Sequence, residues 1–71
     1  MTHTERTHQR KNAEGAPRTL VILSDVHGYT WRIYTPEGLE VAAPDESRQT
    51  TYRTAHLAYL AGMRCLSTLA Q

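Results

Sequence analysis

The stretch LVILSDVHGYTWRIY, residues 20–34, decides the fold. Leu20 to Leu23 are four consecutive apolar residues with β-branched members, the pattern of a strand buried on both faces or nearly so. Ser24 to Gly28 interrupt that run with Asp25 and Gly28, two residue types that turns use. Thr30 to Ile33 then alternate polar and apolar, as a half-buried strand does. The stretch therefore predicts two strands joined by a short polar turn.

Downstream, TWRIYTPEGLEVAAP (residues 30–44) reads as a second hairpin. Pro36 and Gly38 suit the second and fourth positions of a type I turn, with Gly38 making a bulge. That turn pairs Thr35 with Leu39, Ile33 with Val41 and Trp31 with Ala43. The same register puts Trp31, Ile33, Leu39, Val41 and Ala43 on one face and Thr30, Arg32, Tyr34 and Glu40 on the other, so turn chemistry and alternation agree. Residues 44–51, PDESRQTT, form a polar connection.

From Thr50 the period changes to that of a helix, with Thr50 or Thr51 as its cap. Tyr52, Ala55, Tyr59, Met63, Leu66 and Ala70 make its central stripe. Gly62 lies beside that stripe. Inside a helix it costs about 1 kcal/mol relative to Ala, and its expected use is the close approach of a packed neighbour. Ala58, Cys65 and Leu69 widen the apolar arc on one flank, and Leu60 widens it on the other.

Upstream, residues 1–18 contain no Val, Ile, Leu or aromatic residue and read as a disordered basic arm. Arg6, Arg10, Lys11 and Arg18 against Glu5 and Glu14 give the arm +2, which leaves −1 for residues 19–71 and +1 for the chain. The expected architecture is α+β: a three-stranded antiparallel meander packed on one C-terminal helix (βββα), preceded by the arm at 1–18, with the folded domain at 19–71.

Composition sets further bounds. A chain of 71 residues is one small domain, and at this size folding buries only roughly 60% of the unfolded surface. The lone Cys65 excludes a disulfide within the chain and reads as a small buried hydrophobe in a reducing, cytoplasmic setting. No apolar run approaches the roughly 18 residues a membrane span needs, and the N-terminus has no signal-like apolar segment.

Ser24 to Gly28 resemble the first metal-binding motif of the calcineurin-like metallophosphoesterases, in which an apolar strand leads into a G/S-D-x-H-G turn. The resemblance implies Asp25 and His27 as ligands of a two-metal centre that activates water on a phosphate ester. It covers five residues. That family follows the turn with a helix, whereas YTWRIY is strand-like, and it needs further Asn and His ligands. After His27 only His56 remains, and no Asn follows Asn12. Two ligands do not make a catalytic centre. The expected role of Asp25 is to accept backbone N–H bonds in a turn, and no catalytic, cofactor or metal residue is assigned.

The expectation for function is a non-enzymatic protein-interaction module of accessory or inhibitory type. It self-associates, as a homodimer, through the flank of Ala58, Cys65 and Leu69. The alternative is a nucleic-acid-binding domain, including DNA-binding, that uses Arg32 and Tyr34 on the open sheet face with Arg10 and Lys11 of the arm.

Overall fold

A computed structural model describes residues 5–44 and 50–70. It has strands β1 (Glu5–Lys11), β2 (Pro17–Asp25), β3 (Gly28–Tyr34) and β4 (Glu40–Ala42), followed by helix α1 (Ala55–Leu66). The strands form one antiparallel sheet in the order β1-β2-β3-β4. The α+β class and the C-terminal helix are as expected; the sheet has four strands where three were expected.

The additional strand comes from residues assigned to the arm. Glu5–Lys11 pairs with β2 from Glu5↔Leu23 to Lys11↔Pro17, so the fold of the described residues begins before residue 19. Residues 1–4 lie outside the described residues. A polar strand can hold this place because it is an edge: it needs ladder bonds on one side only, and charged residues on an edge discourage further pairing. The turn that closes the hairpin is well specified. Asn12 is buried, and its Oδ1 accepts from the N–H groups of Glu14 and Ala16, each at 2.9 Å. Gly15 takes φ 81°, in the left-handed region that glycine favours.

The β2–β3 hairpin turns at Asp25-Val26-His27-Gly28, where Asp25 Oδ1 accepts from the His27 N–H at 2.7 Å. Beyond Tyr34 the expected turn forms. Thr35 N–H donates to Leu39 O at 2.8 Å, and Gly38 N–H donates to Thr35 O at 2.9 Å. The expected register then fails by one residue. A bulge makes Ile33 pair with Ala42 and not Val41, while Tyr34 still pairs with Glu40. Leu39, expected on the core face, is 68% exposed.

The core lies between the sheet and α1 and comprises Leu20, Ile22, Trp31, Ile33, Ala58 and Leu66. The helix starts later than expected: Thr54 is the cap, its hydroxyl accepting from the Leu57 N–H. Helix α1 is also rotated from the expected stripe. Ala58, Gly62 and Leu66 are its buried residues, spaced four apart, whereas Tyr59 and Met63 are only partly buried. Gly62 explains the rotation. A Cβ there would lie 2.6 Å from Leu20 Cδ1 and 3.3 Å from Trp31 Cβ and Cγ. The glycine is therefore the point of closest approach, and the stripe centres on it. Tyr52 exchanges two backbone hydrogen bonds with Tyr29, and Ala13 N–H donates to Leu69 O at 3.0 Å. These contacts fasten the segments before and after α1 to opposite ends of the sheet.

Candidate functional site

Pairing partners in an antiparallel sheet project to the same face, so register assigns every strand residue to a side. Arg6↔Ile22↔Trp31 and His8↔Leu20↔Ile33 place Arg6, His8 and Arg10 on the helix side, with Arg18 opposite Arg10. Thr7↔Val21↔Arg32 and Gln9↔Thr19↔Tyr34 place Arg32, Tyr34 and Lys11 on the uncovered side. The four residues expected to contact nucleic acid are thus divided: Arg32, Tyr34 and Lys11 share one face, and Arg10 lies on the other.

Charge is sorted the same way. The helix side of the strands carries Arg6, Arg10 and Arg18, and helix α1 adds Arg64. Among the described residues neither group contains a carboxylate. Glu5, Asp25 and Glu40 sit at uncovered-face positions, and Glu14 and Glu37 occupy turns. Among the described residues the helix side is therefore the more positive one, in a chain of net charge +1.

Helix α1 packs on β2 and β3. The side chains of β1 form a ledge beside it, with Tyr59 at its wall. The Nε–H of Arg10 donates to the Tyr59 hydroxyl at 2.9 Å, and its guanidinium carbon lies 5.6 Å from the ring centroid. The His8 ring tilts against the same tyrosine, with centroids 4.8 Å apart. Arg6 lines a hollow with Ile22, Tyr29 and Ala55. The expectation of an arm over residues 1–18 hid this row, because the alternation of Arg6, His8 and Arg10 with polar neighbours carries no hydrophobic contrast.

The expected self-association flank is placed differently. Ala58 is 0% exposed against the sheet, so it belongs to the core and not to an outer surface. Cys65 and Leu69 are partly buried and pack against that core. Burial pushes the Cys65 thiol above its ordinary pKa. The outer face of α1 instead presents His56, Leu57, Leu60 and Arg64.

Asp25 and His27 are exposed residues of the β2–β3 turn, joined by the backbone bond described above. Among the described residues no three His, Cys, Asp or Glu side chains cluster to hold a metal ion. Among the same residues, no helix is long and apolar enough to cross a membrane. Comparisons of the chain with protein-family models, curated proteins and solved structures find no match.

Proposed function

We propose that this chain is a small non-enzymatic binding module that engages nucleic acid through its helix side. The observation that carries the reading is the charge sorting: Arg6, Arg10 and Arg18 on the helix side of the strands and Arg64 on α1, with no described carboxylate among them. Phosphate backbones supply most of the affinity of such encounters, and they require local positive potential more than net charge. The uncovered face offers Arg32 and Tyr34 but mixes them with Glu5, Asp25 and Glu40, which weakens it as a phosphate surface.

The protein-interaction reading drew on the flank of Ala58, Cys65 and Leu69. Ala58 is buried in the folded chain's own core, which leaves only the partly exposed Cys65 and Leu69 of that flank for a partner. The test is binding of a labelled oligonucleotide, followed by fluorescence anisotropy across a salt series. Affinity that falls steeply with salt, and falls further in Arg6→Ala and Arg10→Ala, supports the reading. Absence of binding at low salt overturns it.

A further inference from the structure

We infer that the ledge between β1 and α1 seats one single strand of nucleic acid. Its phosphates lie along Arg6, Arg10 and Arg18. This rests on the nucleic-acid reading above and goes further, because it names the strandedness of the ligand and its path.

One observation points to an anion on the ledge. Arg10 and Arg18 are directly opposed across β1 and β2. Like charges in that position repel, and the helix side of these strands has no described carboxylate to offset them. Bridging by a phosphate turns the repulsive pair into a clamp. A guanidinium nitrogen of Arg18 donates to Pro17 O, and one of Arg10 donates to Gln9 O, so no carboxylate holds either group.

The geometry selects a single strand. Alternate residues of a β-strand project side chains about 6.8 Å apart on one face. That repeat resembles the phosphate spacing of an extended nucleic-acid strand, so Arg6 and Arg10, four positions apart, reach phosphates two nucleotides apart. The ledge runs over β1 and the adjoining edge of β2, about 4.8 Å apart, and the helix walls it through Ala55 and Tyr59. A duplex would meet this ledge with one backbone only, its bases paired and turned away from the protein. An unpaired base can stack on Tyr29, which is partly exposed. Tyr59 acts as a positioning residue: it fixes the Arg10 guanidinium before the ligand arrives, so less side-chain freedom is lost on binding.

The experiment compares a labelled oligothymidylate of about fifteen nucleotides with a mixed-sequence duplex of the same length, by anisotropy over a salt series. The expected result is single-strand binding at least about tenfold tighter than duplex binding, with a log–log salt slope near −2 for three phosphates at about 0.7 each. Arg6→Gln and Arg18→Gln should each lower the affinity and flatten the slope by about 0.7, and Arg32→Gln should do neither. Thermal melts establish that each variant is folded, and Arg18→Gln should melt no lower than wild type because it removes the repulsive pair. Equal or tighter duplex binding overturns the single-strand inference and leaves nucleic-acid binding standing. Loss of binding in Arg32→Gln with none in Arg6→Gln moves the site to the other face and overturns the ledge. Binding of neither oligonucleotide overturns both readings.

Discussion

The Nε–H of Arg10 donates to the phenolic oxygen of Tyr59 at 2.9 Å, joining the edge strand to the helix across 49 positions of sequence. Strand β1 has almost no apolar side chain to anchor it, so this bond and the His8–Tyr59 ring contact are its side-chain ties to the helix. Tyr59→Phe should keep the ring contacts and lower stability by less than about 1 kcal/mol, the usual worth of one exposed hydrogen bond. Tyr59→Ala should remove both ties and raise amide hydrogen exchange in Arg6 to Arg10 selectively. Unchanged exchange in β1 in the alanine variant would show that its ladder bonds alone hold the strand.

Gly62→Ala should destabilise the chain although alanine is the better helix former. The propensity gain is about 1 kcal/mol. The added methyl would sit 2.6 Å from Leu20 Cδ1 and 3.3 Å from Trp31, and Leu20 is fully buried. Overpacking of this kind costs about 1–3 kcal/mol, so the expected net is a loss of up to about 2 kcal/mol in urea denaturation. A gain in stability would mean that α1 can lift from the sheet without cost.

Leu69→Glu should lower stability and not merely change association state. Leu69 packs against the core, and its carbonyl oxygen accepts from the Ala13 N–H. Loss of the partly buried leucine is expected to cost about 1–2 kcal/mol. Thermal melts beside sedimentation equilibrium separate the outcomes. A variant that melts like wild type but sediments at half the mass would restore the helix flank as a dimer surface.

Asp25→Asn should leave any hydrolysis of a generic phosphodiester unchanged in the presence of manganese or zinc, because the carboxylate serves the turn. The amide oxygen of Asn can still accept from the His27 N–H, so stability should move by less than about 0.5 kcal/mol. Metal-dependent turnover that disappears in the variant would refute the turn assignment.

Cys65 should react slowly with thiol reagents near neutral pH, since burial raises its pKa and holds back the thiolate. The sign for stability follows. The unfolded chain ionises at the ordinary thiol pKa and the folded chain only above it, so stability is full below the ordinary value and falls as pH rises through the folded one. Urea midpoints of wild type and Cys65→Ser, compared over alkaline pH, check this: the serine variant should lose less stability as pH rises.

The parts legible in sequence are those where two local signals agree. Residues 17–34 combined apolar β-branched residues with a turn, and residues 35–39 combined Pro36 and Gly38 with alternation; both hairpins form. Strand β1 was missed because its pattern of arginine and histidine against threonine and glutamine alternates without any hydrophobic contrast. Its signal was the Asn12-to-Gly15 turn, whose side-chain bonds no periodicity records. The bulge beside Val41 also escaped, since one extra residue in a short edge strand leaves the turn chemistry untouched. For α1 the clue was present but misplaced: Gly62 marks the centre of the interface, and reading it as a neighbour of the stripe turned Ala58 outward. The basic ledge depended on β1 and was lost with it.

Among the described residues the sorted charges make the helix side more positive than the uncovered side. In the field of a polyanion such a body rotates before it touches, because its positive layer is drawn inward while the carboxylates of the opposite face are pushed away. The torque acts over about the Debye length, ~8 Å at physiological ionic strength. Encounter therefore selects for one presentation of the protein, and raising the salt should randomise its approach as well as weaken its grip.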